Sequence, residues 1–209
     1  MTLPPCPAAD FPRARTALVT GAASPRGIGR ATASRLAADG WSVAVLDLDE
    51  AACQRLAEGL REEHGVACLG IGVDIRDRDA VRAAVRRIDT ELPQLVGLVN
   101  NAGVSSPVPF LDVSEAEWHR VVDVNLHGTF HVTRAAAELM AERRLGRVVT
   151  VSSASAERGG GCTDVPSTRP RKRRCSASPA PSRENSDRTA SPRTPWRPDP
   201  STPTSWAAR

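Results

Sequence analysis

A chain of 209 residues, 40% hydrophobic and 25% charged, is long enough for one domain with a full core and too short for several. Its formal charge of +4 is unevenly placed: residues 1–161 carry 18 Lys/Arg against 20 Asp/Glu, and residues 162–209 carry 10 against 4. The basic balance therefore belongs to the end of the chain, which excludes a broadly basic folded surface of the kind that grips nucleic acid.

The opening "MTLPPCPAADFPRAR" has no hydrophobic signal core, and no apolar run reaches membrane-spanning length. Residues 1–13 read as a flexible lead into a soluble, cytoplasmic protein. "TALVT" (16–20) then reads as a buried strand, followed by a helix from Gly27 to about Asp39 with Ile28, Thr32 and Leu36 on its apolar face, stopped by Gly40. "SVAVLDL" (42–48) is a second strand. Asp49 caps a helix with the stripe Ala52, Leu56 and Leu60, ending before Gly65. "VACLGIGV" (66–73) is a third strand, and Val81, Val85 and Ile88 mark the next helix. "LVGLVN" (95–100) is a fourth strand. Ser114 and Glu117 form a capping-box signature for one long helical region to about Arg144, and "RVVTVSS" (147–153) is a fifth strand. Continuous apolar strands alternating with helices predict an α/β fold, a doubly wound parallel sheet covered on both faces.

The cysteines, Cys6, Cys53, Cys68, Cys162 and Cys175, show no metal-ligand or redox spacing. Cys53 and Cys68 fall in predicted core elements, which suits reduced thiols.

Chemistry is concentrated where the first strand meets the first helix, in "TGAASPRGIG" (20–29). Glycines there let the backbone turn tightly and approach a pyrophosphate, while the helix N-terminus supplies N–H donors and positive potential. Taken alone the loop is also an ordinary Gly-rich turn. Asp47, at the end of the second strand and 18 residues after Gly29, adds an acid where a ribose diol would need one.

Gly21, Gly27 and Gly29, "VDI" (73–75), "NNAG" (100–103), "VVDVNLHGTFHVTRAA" (121–136) and "GRVVTVSS" (146–153) follow one another in an order that resembles the short-chain dehydrogenase/reductase family. The likeness is to its classical, 3-oxoacyl-reductase-like type and covers roughly residues 14–161, an NAD(P)-binding Rossmann domain with strand order 3-2-1-4-5. The resemblance implies that Gly21, Ser24, Gly27, Ile28 and Gly29 cradle the cofactor diphosphate. Asp74 and Ile75 would contact the adenine, and Asn101, Ala102 and Gly103 would line the ribose and nicotinamide side. Asn125 would serve a proton relay through the helix backbone, and Ser153 would bond the substrate oxygen. An alcohol or ketone of small size is the implied substrate, and a homo-oligomer the implied assembly. Pro25–Arg26 is an insertion relative to the family pattern, and it brings Arg26 toward the adenosine ribose. Asp47 favours NAD, because a carboxylate accepts from a free diol and repels a 2′-phosphate; Arg26 would favour NADP. NAD is the expected cofactor and NADP the alternative.

The family's catalytic tyrosine and lysine, Y-x-x-x-K, are absent: the chain has no tyrosine, and its one lysine is Lys172 in "RPRKRRC" (169–175). Residues 162–209 hold 9 of the 17 prolines and no Leu, Ile, Phe or Met, a composition that predicts a disordered tail. Reading each codon from the third base of the one before lets Ser167–Thr168 encode tyrosine and Arg171–Lys172 encode lysine. A continuous match to the family's catalytic helix and following strand extends from there. The tail thus reads as an out-of-frame translation beginning between about Ser155 and Val165. Three functions follow: an NAD(P)-dependent oxidoreductase by descent, a dinucleotide-binding remnant without turnover, or a regulatory module with a nucleic-acid-binding tail. The last is disfavoured, since Trp196 and Trp206 lie away from the basic cluster. Without the tyrosine-bearing helix, the oligomer interface would be incomplete and the 114–144 region would expose an apolar face.

Overall fold

The structure is a computed structural model that describes residues 11–153; the expected tail, the shifted frame and Cys6, Cys162 and Cys175 lie outside the described residues. Five strands form one parallel sheet: β1 (Thr16–Thr20), β2 (Ser42–Asp47), β3 (Cys68–Gly72), β4 (Leu95–Asn100) and β5 (Arg147–Thr150). Their order is β3-β2-β1-β4-β5, as the family resemblance implied. The helices between them are α1 (Ile28–Ala38), α2 (Glu50–His64), α3 (Arg78–Glu91), α4 (Glu115–Val122) and α5 (Thr129–Glu142).

Alternation within the central strands builds two cores. Leu18, Ala44 and Leu46 face α3 and α5, packing with Val81, Val85, Ile88 and Val132. Val19, Val43 and Val45 face α1 and α2, packing with Ala33, Ala37, Cys53, Leu56 and Leu60. Both faces of β1 and β2 are therefore apolar, which is why these strands read as unbroken hydrophobic runs.

Two expected stripes are displaced. α1 buries Gly29, Ala33 and Ala37, while Thr32 and Leu36 sit half-buried at its flank and Ile28 is 65% exposed. Small residues let the helix approach the sheet closely, so the tightest contact line carries the least hydrophobic mass. In α2 the buried set is Cys53, Leu56, Ala57 and Leu60, with Ala52 at the edge. The long helix after Ser114 is also interrupted. Asp123–Gly128 winds as a π segment between α4 and α5, a widened turn that recurs at functional sites.

β5 differs from its neighbours. Val148 and Val149 point to opposite faces of the sheet and are 43% and 55% exposed. Burial of a valine contributes about 1.5–3 kcal/mol, and β5 gains only part of that from the described residues.

The α2–β3 packing yields a direct test. A Cβ on Gly70 would run into the backbone carbonyl of Cys53. Gly70→Ala should lower the unfolding free energy by about 1–3 kcal/mol, the usual cost of overpacking, as read by urea denaturation.

Candidate functional site: the crevice at the ends of β1 and β4

The crossovers from β1 and from β4 leave on opposite faces of the sheet. A crevice opens between the C-terminal ends of such strands, the general place for ligands in open α/β sheets. Here the two ends are locked together. The buried Thr20 hydroxyl accepts from the backbone N–H groups of Asn101 (3.1 Å) and Ala102 (3.0 Å). In return the Asn101 amide Nδ2 donates to the carbonyls of Thr20 (3.1 Å) and Gly21 (2.9 Å). Gly21 holds φ +69°, and a side chain there would strike the Ala102 backbone 2.6 Å away, so only glycine fits.

A cavity of about 420 Å³ fills the crevice, within the range of small-molecule sites. Gly21, Ser24, Gly27 and Ile28 form one wall. α1 begins there with no side-chain cap and no acid in its first turn, whereas Asp49, Asp77 and Ser114 cap α2, α3 and α4. The first N–H groups of α1 thus stay open to an external anion. Gly29 lies beneath the wall and does not line the cavity. A Cβ on it would reach the Gly21 carbonyl and stand 2.6 Å from Asn101 Nδ2, so its role is close packing of loop, helix and strand. Arg26 is a second departure from expectation. Ser24–Gly27 closes as a turn, Gly27 N–H donating to the Ser24 carbonyl at 3.0 Å, and the inserted Pro25–Arg26 tip is solvent-exposed, outside the cavity lining.

Asp47 is in the cavity wall. Its Oδ2 accepts from Ala23 N–H (2.9 Å) and its Oδ1 from Leu48 N–H (2.7 Å), which fixes the carboxylate while leaving each oxygen a free acceptor position. Leu48, 71% exposed, and Ile28 place two apolar side chains on either side of the glycine loop at the cavity rim. Nearby, burial and then the charge of Asp47 push the Cys53 thiol up to about 11, so it stays protonated and unreactive at neutral pH.

Asp74 and Ile75 line the far wall with Val124. Ile75 is 7% exposed and presses against Gly128 of the π segment, where any side chain would collide with it. Arg76 and Arg120 also line this wall, and neither stands out in the sequence. Arg120 makes a two-point bond to Glu117, both contacts 2.7 Å, and holds that carboxyl down at about 2. Glu117 therefore completes only half of the expected capping box: Ser114 Oγ accepts from Glu117 N–H at 3.2 Å, but the Glu117 side chain turns to Arg120.

Ala102 and Gly103 line the cavity where β4 ends. Asn125, in the π segment, does not reach the lining; its carboxamide clasps the Val104 backbone, accepting from the N–H at 2.9 Å and donating to the carbonyl at 2.8 Å. Its side chain thus fixes the loop that follows Gly103. Ser153 lies three residues beyond β5, on the same C-terminal edge of the sheet, exposed and outside the lining. Among the described residues no group of three or more His, Cys, Asp or Glu could hold a metal ion, and no helix is long and apolar enough to cross a membrane.

A parallel sheet of this order, with a glycine loop, an uncapped helix N-terminus and an acid at the end of β2, defines a dinucleotide-binding fold of the Rossmann type. The sequence profile of the short chain dehydrogenase family matches residues 15–165, and the chain belongs to that family. A short-chain type dehydrogenase/reductase of Sinorhizobium fredii, y4mP, is 39% identical over 150 residues, 71% of this chain and 59% of the relative. The 3-oxoacyl-[acyl-carrier-protein] reductase FabG of Staphylococcus aureus is 37% identical over 142 residues, 66% of this chain and 56% of that protein. Among solved structures, a variant of actinorhodin polyketide ketoreductase with NADPH superposes with a TM-score of 0.65 at 34% identity, over 70% of this chain and 56% of the other. The chain spans a little over half the length of the curated relatives it matches. It is an oxidoreductase-family chain, and this family binds nicotinamide dinucleotides.

The Asn101 clasp is the site's most testable joint. Asn101→Ala should cost about 1–3 kcal/mol of unfolding free energy, since it leaves two carbonyls at the strand end without their donor. Urea denaturation of the variant against the unaltered chain measures it.

Proposed function

We propose that the chain binds NAD at the crevice and descends from an enzyme that interconverts a secondary alcohol and a ketone. The observation that carries this reading is the convergence of three features on one cavity: Gly21 in a left-handed turn, the uncapped N-terminus of α1, and Asp47 with acceptor positions left open. The donor set fits the group. The loop from Gly21 to Ile28 would take the diphosphate on backbone N–H groups, Asp47 would accept from the adenosine ribose diol, and Asp74 and Ile75 would meet the adenine. Asn101, mainly by holding the loop, and Ala102 and Gly103 would flank the nicotinamide ribose. When bound, the dinucleotide supplies the hydride acceptor or donor.

NAD is favoured over NADP because Asp47 lines the cavity and Arg26, exposed at the tip of its turn, does not. A carboxylate beside a 2′-phosphate is repulsive, and the two guanidinium groups on the far wall, Arg76 and Arg120, are already paired with Asp74 and Glu117. The ketoreductase neighbour with NADPH keeps NADP as the alternative.

Turnover is a different matter. Asn125 holds the loop after Gly103 and Ser153 stands at the edge of the sheet where a substrate oxygen would lie, but the chain contains no tyrosine to give or take the hydroxyl proton. Loss of a general acid alone costs about 10²–10⁴-fold. The chain as it stands is a dinucleotide-binding remnant, and its intact form is the oxidoreductase.

Two measurements test this. Coding DNA across codons 150–175, read together with NADH oxidation assays on simple ketones, should show no turnover by the present chain and recovered turnover once the shifted frame is restored from about codon 161. In the restored enzyme, Asp47→Ala should reduce the NAD-over-NADP preference by about tenfold or more, equivalent to at least 1.4 kcal/mol. Robust ketone reduction by the unaltered chain would overturn both the frame reading and the tyrosine assignment.

A further inference from the structure

The end of β3 is fixed at both sides before any ligand arrives. Val73 N–H donates to the Asp47 carbonyl at 2.7 Å, and Asp77 N–H donates to the Asp74 carbonyl at 3.0 Å. Asp77 then caps α3, its carboxylate accepting from Asp79 and Ala80 N–H groups. The backbone of Asp74 is thus held. Its side chain is one-third exposed and, left alone, would sample several rotamers at the cavity mouth.

Arg76 removes that freedom. Its backbone N–H donates to Asp74 Oδ1 at 2.9 Å, its Nε–H lies between the two oxygens at 3.0 and 2.9 Å, and its Nη2 donates to Oδ2 at 2.6 Å. A carboxylate accepts about four hydrogen bonds. Three N–H groups from one residue fill most of that capacity and leave about one acceptor position, on a side chain that lines the cavity. The charge of Asp123 favours the guanidinium form and that of Arg120 opposes it, both weakly beside the Asp74 pairing.

We infer that Arg76 is a positioning residue for purine recognition, orienting Asp74 so that its remaining acceptor position meets the exocyclic amine of the cofactor's adenine. This rests on the dinucleotide reading above and deepens it. The match is chemical. A single acceptor fixed at the cavity wall suits an amino-purine, whereas a 6-oxo-purine sets a carbonyl oxygen against the carboxylate. A lysine could not substitute, because an ammonium is a point charge and lacks the planar fork that engages both oxygens.

The test compares NADH with its hypoxanthine counterpart, which carries a 6-oxo group and an N1 proton in place of the amine, by ligand-observed NMR or calorimetry on the full chain. The unaltered chain should prefer NADH by about tenfold, a ratio typical of one charge-assisted hydrogen bond. Arg76→Ala and Arg76→Lys should each cut that preference to about threefold or less while still binding through the diphosphate loop. Asp74→Asn should do the same, and Arg76→Ala added to Asp74→Asn should change the ratio no further. An Arg76→Ala chain that keeps its preference, even with both ligands weakened equally, overturns the positioning role alone. An unaltered chain that binds neither dinucleotide overturns the dinucleotide reading and this role with it.

Discussion

The crevice exists because β1 and β4 are neighbours whose ends are tied by one reciprocal set of hydrogen bonds. The Thr20 hydroxyl accepts two backbone N–H groups from the start of the β4 loop, and the Asn101 amide returns two donors to the end of β1. Without that tie, two strand ends carrying unpaired carbonyls and N–H groups would each need water or a new partner. With it, the glycine loop has only one path, passing so close to Ala102 that residue 21 must be glycine. The shape of the glycine loop is thus set by contacts made beneath it.

The same economy of space governs α1. Gly29, Ala33 and Ala37 let the helix lie against β1 and β2, and its bare first turn is then presented at the crevice. α2, α3 and α4 close their N-termini with side chains, and α5 continues directly from the π segment. Among α1 to α4, only α1 begins with no side-chain cap. Opposite it, the π segment widens the helix at the point where Gly128 receives Ile75 and Asn125 reaches back to Val104. Two loops bordering the cavity are therefore held by a single local irregularity in one helical run.

The strands were legible because a parallel sheet with two covered faces needs apolar residues at consecutive positions, and "TALVT" and "SVAVL" supply them; their order came from the family resemblance alone. Helix existence was legible for the same reason, from periodicity and from Asp49 and Ser114. Helix phase in α1 was not, because alanine and glycine bury without announcing it and the conspicuous Ile28 faces the cavity. The π segment was invisible: "DVNLHG" keeps a helical composition, and the close approach of Ile75 to Gly128 shows only in the fold. Arg26 drew notice through its place in an insertion, yet it sits exposed at the tip of a turn and does not line the cavity. Arg76 and Arg120 escaped notice because surface arginines are common, and only the fold shows them on the cavity wall. Thr20 was read as a strand residue; its hydroxyl matters through partners 81 and 82 positions away in sequence.

The sheet's other edge shows what the described residues leave open. β5 pairs with β4 in register, yet its valines on both faces stay exposed, as do Trp118, Leu126 and Phe130 on the adjoining helical run. The dinucleotide half of the fold is thus better supported than the half that would carry the tyrosine. That asymmetry separates binding from turnover and makes binding the central claim. The most direct measurement is an amide NMR titration of the chain with NADH. The account predicts shifts concentrated at Gly21–Ile28, Asp47–Leu48, Asp74–Arg76 and Asn101–Val104. Shifts centred instead on the groove between α3 and α5, around Arg82 and Arg134, or no saturable shifts at all, would contradict it.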